Sequence, residues 1–220
     1  MRLNKFVRDA LGISRRKADA LIKEGKITVN GTIIKKPFYD TQEQDEIKYG
    51  GKILKTKIER EIYIYYKPRG VVSSLYDPHA KRTVLSELKL KKGFKFAGRL
   101  DKNSEGLMVI TNDGNLIHRL THPSFETKKG YLVWTKRTLT SKEIASILQG
   151  IEDAGEILKA DRVERKGNNL YLFVLHEGKK REIRRLIKRF NNEVLRLKRI
   201  FMGEFVLPED MEPGEIRKVS

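Results

Sequence analysis

The sequence predicts an α+β chain, with a small unit of two helices and a hairpin ahead of a larger body of mixed, mainly antiparallel sheet with flanking helices and a central cleft. Three observations carry this. Near the N-terminus, two short stretches repeat apolar residues at helical spacing and a hairpin signature follows. From about residue 60, strand-like runs outnumber helical ones and do not alternate regularly with them. The chain has 220 residues, enough for one or two domains and a sizeable core.

Residues 2–11 place Leu3, Phe6, Val7, Ala10 and Leu11 on one helical face, and Gly12 is a natural stop. Ser14 reads as the N-cap of a second helix running through Ile22 and closed by Gly25. Residues 26–34 form a hairpin turned by Asn30-Gly31. This unit ends near residue 55, and the Tyr49-Gly50-Gly51-Lys52 region is the linker candidate. Ile62 to Tyr66 is a strand stopped by Lys67-Pro68-Arg69-Gly70, and Val71 to Ser73 resumes extended structure. Phe94 to Phe96 alternates, and Leu107 to Ile110 is a buried-strand candidate. Residues 115–120 form a short helix, and Tyr131 to Trp134 a strand. Thr140 with Glu143 is a capping box for a helix ending before Gly150. Leu170 to Leu175 is a strand, and a strongly basic helix follows Gly178. The expected division is residues 1–55 and 60–220.

Lys and Arg number 47 against 29 Asp and Glu, a net charge of +18. The excess is spread along the chain, with 11 basic and 7 acidic residues in the first 50. A solvated surface of balanced charge leaves no such surplus, so a polyanionic partner, nucleic acid, is expected. There is no cysteine, which excludes disulfides and Cys-ligated zinc. No apolar run approaches membrane-spanning length and the N-terminus shows no signal-peptide pattern. A cytoplasmic monomer without a membrane partner is the expectation.

Asp101 lies in a glycine-bracketed loop, Gly98-Arg99-Leu100-Asp101-Lys102-Asn103-Ser104-Glu105-Gly106, just before an apolar strand. Loops on rigid scaffolds often carry chemistry, and cations at Arg99 and Lys102 favour the charged form of the acid between them. A positioned carboxylate is a possible nucleophile. By itself the stretch reads first as an ordinary surface turn, since Asp and Gly are common turn residues. On the helix after Gly178, Ile183, Leu186, Ile187 and Phe190 share one face, with Arg181, Arg185, Lys188 and Arg189 opposite. Arg184 falls about 100° from Ile183, at the border, where periodicity alone favours a snorkelling surface arginine over one turned into a cleft to pair with a carboxylate. Glu105 suggests a carboxylate pair with Asp101, as in a glycoside hydrolase, but a loop imposes no fixed separation. His118, His122 and His176 lack metal-ligand spacing, and His122-Pro123 more simply fixes a turn. Asp113 reads as structural.

Met1-Arg2-Leu3-Asn4-Lys5-Phe6, Ser14-Arg15-Arg16-Lys17-Ala18 and Val29-Asn30-Gly31 together resemble the S4 RNA-binding domain. Arg15, Arg16 and Lys17 open a helix against its dipole, which is easier to understand if they and Lys26 contact phosphate. Residues 60–219 resemble the pseudouridine synthases that modify ribosomal RNA and carry an S4 domain. The motifs are Lys67-Pro68-Arg69-Gly70, Gly98-Arg99-Leu100-Asp101 through Asn112-Asp113-Gly114, His122-Pro123-Ser124 with Lys129-Gly130-Tyr131, and Glu177-Gly178-Lys179-Lys180-Arg181-Glu182-Ile183-Arg184-Arg185.

The resemblance implies roles. Asp101 matches the catalytic aspartate that attacks the target uridine. Tyr131 matches the tyrosine that lies against the uracil and acts in later proton transfer, and Arg184 the basic residue that pairs with the aspartate. Arg99 matches the arginine that enters the space left by a flipped base. Arg181 and Arg185 are expected to touch RNA, alongside Arg15, Arg16, Lys17 and Lys26. The family requires no cofactor and no metal. The implied partner is ribosomal RNA, free or in an assembling subunit. Ser104 stands where many relatives have threonine, and Lys180-Arg181 where several carry asparagine or histidine beside a basic residue. A non-catalytic RNA-binding module is the rival from another class.

Overall fold

The computed structural model describes residues 1–42, 44–55, 60–74, 83–84, 88 and 93–219. The chain divides into two compact units, Met1–Arg60 and Glu61–Ser220. In the first, helix α1 (Leu3–Leu11) ends at Gly12, whose φ of 62° is the left-handed stop expected there. Helix α2 (Arg15–Lys23) is capped by Ser14, whose hydroxyl accepts from the Lys17 N–H at 3.2 Å. Strands β1 (Ile27–Val29) and β2 (Thr32–Ile33) turn on Asn30 and Gly31 at φ of 50° and 80°, both left-handed as a tight hairpin of this hand requires. Strands β3 (Ile47–Tyr49) and β4 (Lys52–Ile53) complete a four-stranded sheet in the order β2-β1-β3-β4. Leu3, Val7, Ala18, Ile22 and Ile27 are fully buried between helices and sheet.

The second unit is built on strands β5 (Ile62–Lys67), β6 (Lys95–Ala97), β7 (Glu105–Thr111), β8 (Lys129–Thr135), β11 (Arg162–Arg165), β12 (Leu170–Leu175), β13 (Val194–Met202), β14 (Phe205–Val206) and β15 (Ile216–Val219). The sheet runs β11-β12-β8-β13-β7-β5-β15, with β14 added to β13 and β6 to β7. Every pairing is antiparallel except the central one, where β13 lies parallel to β7. Strands β9 (Ile151–Asp153) and β10 (Glu156–Leu158) form a separate hairpin. Helices α3 (Gly114–Thr121), α4 (Ser141–Gln149) and α5 (Glu182–Lys188) flank the sheet.

Strand β7 is buried along its whole length, which explains its unbroken apolar run. Leu107 and Val109 face one core with Leu116, Leu120 and Met202, while Met108 and Ile110 face another with Tyr65, Val71 and Leu100. A third core joins Val133, Tyr171 and Phe173 to the apolar face of α5, with Ile183, Leu186 and Ile187 buried and Phe190 against them, as the periodicity predicted. Tyr131 packs on both this core and the Tyr65–Met108 core, so it sits where they meet.

One expectation is corrected: Tyr49-Gly50-Gly51-Lys52 is not a linker, because Gly50 and Gly51 turn the β3–β4 hairpin inside the first unit. Val71 to Ser73 joins no ladder, and Val72 makes an isolated bridge to Thr83. Asp113 is structural as expected, its carboxylate capping α3 by accepting from the Asn115 N–H at 2.8 Å.

Candidate active site

The loop between β6 and β7 carries Asp101, and its backbone is held at four successive residues. The Ser73 hydroxyl donates to the Leu100 carbonyl at 2.7 Å and accepts from the Leu100 N–H at 3.1 Å. The Asp101 carbonyl accepts from the Ser104 N–H at 3.0 Å, closing a tight turn. The Lys102 carbonyl accepts from the Gly70 N–H at 2.7 Å, and the Asn103 carbonyl from Arg184 Nη2 at 3.1 Å. Buried Lys67 donates to the carbonyls of Pro68 and Val71, each at 2.8 Å, and so shapes the turn that presents Gly70. Such anchoring fixes a loop side chain far better than sequence-local turn preference does.

Asp101 opens into a cleft of about 670 Å³ lined by Arg99, Tyr131, Arg181 and Arg184, among other described residues. Asp101, Tyr131, Arg184 and Arg99, which the sequence separates by up to 85 positions, therefore share one cavity. The carboxylate remains partly accessible, its side chain 36% exposed.

The expected ion pair between Asp101 and Arg184 is not made. Arg184 spends its guanidinium on two carbonyls, Asn103 and Val194, the latter at 3.0 Å. Arg181 comes nearest in charge contact, with Nη1 3.9 Å from Asp101 Oδ2. The reason lies in the helix entrance. Arg181 caps α5 in the left-handed conformation, φ 54°, and its side chain leaves at the cleft mouth, whereas Arg184 starts one turn deeper beside β13. Burial, then the nearby Arg181 charge, draws the Arg184 pKa down, and the Asp101 charge opposes this.

Glu105 is not available to work with Asp101. It is buried on β7, ion-paired with Arg196, and 3.5 Å from the Tyr66 hydroxyl. The paired-carboxylate geometry of a glycoside hydrolase is thus absent at this loop. His122 accepts from the Ser124 N–H at 3.3 Å and fixes a turn, as its pairing with Pro123 suggested.

A family model described as RNA pseudouridylate synthase matches residues 61–189, more than half of the chain. The chain belongs to the RNA pseudouridylate synthase family. It is an isomerase that acts on RNA, and an S4 domain matches residues 1–47. It is 34% identical to a ribosomal small subunit pseudouridine synthase A of Vibrio vulnificus, covering 100% of this chain and 96% of that protein. It is 33% identical to a ribosomal large subunit pseudouridine synthase B of Bacillus subtilis, covering 90% of this chain and 84% of the other. A crystal structure of a pseudouridylate synthase superposes with a TM-score of 0.70 at 28% identity, covering 100% of this chain and 96% of that one.

Within this synthase the other basic residues divide into free and committed. Arg15, Arg16 and Lys17 stand exposed at the start of α2, with Arg15 6.0 Å from the exposed Phe38 ring. Lys26 is also exposed but pairs with Glu24 at 2.7 Å, which raises its pKa. Arg185 departs from expectation. Its Nε meets Asp153 and its Nη1 Glu156, both at 2.5 Å, and Nη2 donates to the Asp153 carbonyl at 2.7 Å. It faces the β9–β10 hairpin because α5 turns that side toward it, so Arg185 is a clamp and not a free RNA contact.

Ser73 and Lys67 were missed as site residues. Lys67 falls in a quoted motif, so a signal existed. Ser73 offered none, since a lone serine in an extended stretch does not disclose a partner 27 residues away.

Proposed function

We propose that this synthase converts a specific uridine of ribosomal RNA to pseudouridine, with the Asp101 carboxylate as nucleophile and Arg99 filling the place of a flipped-out base. The observation that carries the reading is the shared cleft of Asp101, Tyr131, Arg99 and Arg184 behind a loop anchored at every residue from 100 to 103. The relatives named for small- and large-subunit ribosomal RNA support the substrate class.

A base stacked in a duplex is out of reach of a carboxylate in a cleft, so it must first swing out, at a cost of a few kcal/mol. Arg99, exposed at the mouth, supplies charge and a planar face to the vacated stack. The uracil then lies against Tyr131. The N1–C1′ bond breaks, the base turns, and a C5–C1′ bond forms. The proton on C5 leaves and N1 gains one, so the product keeps the substrate's composition. The Asp101 carboxylate attacks C1′ as the N1–C1′ bond breaks and is released as the C5–C1′ bond forms, and the Tyr131 hydroxyl exchanges the proton. Arg184 orients the loop, and Arg181 supplies the nearer positive charge.

Asp101→Asn tests this directly. Pseudouridine formation in a ribosomal RNA transcript should vanish while RNA affinity stays nearly unchanged. Undiminished product from the variant would sink the role. Mapping pseudouridines in ribosomal RNA from cells with and without the protein would name the target, and no difference would favour a binding module.

A further inference from the structure

A second cavity of about 380 Å³ adjoins the Asp101 cleft and shares Arg99, Tyr131, Glu177, Gly178 and Lys179 with it. Its wall contains two cations that the reaction above does not use. Lys129 is 9% exposed and Arg199 is 2% exposed. The Lys129 ammonium donates to the carbonyls of His176 at 2.8 Å and Glu177 at 3.3 Å, which leaves one of its three donors. Arg199 Nε donates to the Leu107 carbonyl at 2.8 Å, but its Nη2 is buried with no hydrogen-bond partner. Neither cation has a carboxylate at ion-pair distance among the described residues. Glu177 pairs instead with Lys179, and Glu177 and Glu182 act on Lys129 only through space.

Two buried cations in one wall, with carboxylates acting on Lys129 only at a distance, are unfavourable. The strain is registered at Lys129, whose pKa is lowered first by burial and then by the Arg199 charge. Gly98 lines the cavity beside Arg199, since a Cβ there would stand 3.6 Å from Arg199 Nη1 and 3.3 Å from Met202 Cε. A tetrahedral anion in this cavity accepts from the spare ammonium proton and from Arg199 Nη1, the guanidinium nitrogen turned toward Gly98 on the cavity wall, while the sealed Nη2 makes no contact with it.

We infer that this cavity is a phosphate subsite, in which Lys129 and Arg199 hold a backbone phosphodiester next to the uridine seated at Asp101. The inference rests on the reading of the Asp101 cleft as the uridine site. It adds a reason for the alignment of the substrate. A phosphate gripped on the far side of Arg99 and Tyr131 would fix the sugar beside the nucleophile, and would do so only after the base has left the helix. The two carbonyl bonds of Lys129 also hold the Glu177-Gly178 loop, so a structural role has to be separated from an anion-binding one.

The test uses the whole protein with two probes. Inorganic phosphate, titrated at constant ionic strength, should raise the melting temperature of wild type saturably, and of Asp101→Asn at least as much. Lys129→Met, of similar length and without charge, should lose that response. With a ribosomal RNA transcript, the same variant should bind on the order of tenfold more weakly, and its log Kd against log salt slope should fall by about 1. Equal phosphate responses in wild type and Lys129→Met, or an unchanged salt slope, would overturn the subsite. If Lys129→Met does not fold, wild-type crystals soaked in selenate decide the matter. Anomalous density between Lys129 and Arg199 supports the subsite, and an empty cavity with selenate bound elsewhere refutes it. A protein that makes pseudouridine with an unchanged slope loses only this inference. One that binds phosphate here yet makes no pseudouridine loses only the proposed reaction.

Discussion

Arg184 donates to the carbonyl oxygen of Asn103 at 3.1 Å and so grips the loop two residues beyond Asp101. The same guanidinium reaches the Val194 carbonyl, at 3.0 Å, at the start of β13. One planar group thereby ties α5, β13 and the Asp101 loop into a single frame. Its work is geometric, and the charge nearest Asp101 comes from Arg181.

Arg184→Lys separates geometry from charge. Lysine keeps the positive charge but cannot fork between two fixed carbonyls. Hydrogen bonds from charged donors contribute about 1.5–3 kcal/mol each. Turnover should fall on the order of ten- to a hundredfold for a loss of about 1.4–2.8 kcal/mol of loop positioning, with RNA affinity within about threefold. Single-turnover kinetics beside equilibrium binding would read both. A full rate with lysine would mean that charge alone suffices.

Tyr131 has a structural duty as well as a proposed chemical one, because it packs on two cores. Tyr131→Phe leaves that packing and the flat face in place and removes only the hydroxyl. Loss of a positioned acid–base group reduces rate about 10²–10⁴-fold. The expected outcome is such a drop in kcat with an unchanged melting temperature and unchanged RNA binding. Wild-type turnover in this variant would rule out the hydroxyl as the proton carrier.

What was legible in the sequence was local. Asn30-Gly31 dictates its hairpin through backbone conformation, and Thr140 with Glu143 marks its helix start through bonds made within one turn. Strand β13 was not legible, although it is the longest. Its outward residues are Arg196, held by Glu105 and lying 4.7 Å from the Trp134 ring, and Lys198, 4.7 Å from Tyr66. Those partners belong to other strands, so the charges read as helical or loop polarity until the sheet assembles. The membership of Asp101, Tyr131 and Arg184 in one site followed from motif resemblance. The direction of Arg184 did not, because its acceptors are backbone carbonyls that no side-chain pattern announces.

Two glycines let the central strands approach. A Cβ on Gly106 would lie 2.2 Å from the Arg199 carbonyl oxygen, and φ there is +106°. A Cβ on Gly130 would lie 1.9 Å from the Phe201 ring, a side chain that is only half-buried and can swing aside. Gly106→Ala should therefore destabilise by about 3–5 kcal/mol, from backbone overlap and left-handed strain combined. Gly130→Ala should cost about 1–3 kcal/mol and recover in part when combined with Phe201→Leu. Urea unfolding of the three variants checks the order, and equal losses at the two glycines would contradict it.

Glu143 gives a pH signature far from the cleft. Its carboxylate is gripped by Arg137 at 2.6 and 3.0 Å and by the Thr140 N–H at 2.8 Å. The Arg137 hydrogen bonds are the first cause of a pKa lowered from 4.5 to about 2. A lowered folded-state value means that the carboxylate stabilises fully above pH 4.5 and loses that contribution as pH falls toward 2. Partial exposure of Arg137 screens the pair, so Glu143→Gln should lose about 1–3 kcal/mol at neutral pH. The gap between wild type and variant should hold down to pH 4.5 and close near pH 2. A gap independent of pH would show that shape, not charge, carries the contribution.

Arg181 and Arg185 lie one turn apart at the start of α5 and should respond oppositely to removal. Arg185 is saturated by Asp153 and Glu156, with its own side chain 22% exposed. Arg181 is 50% exposed at the cleft mouth and has only a long contact to Asp101. Arg185→Ala should lower the melting temperature measurably by releasing the hairpin, with an unchanged salt slope for RNA binding. Arg181→Ala should leave the melting temperature nearly alone and reduce that slope by about 1, the mark of one lost phosphate contact. Thermal melts and salt-dependent binding on the same two preparations distinguish the roles. A reversed pattern would put the RNA on the hairpin side of α5 and require the Asp153–Glu156 clamp to open when RNA binds.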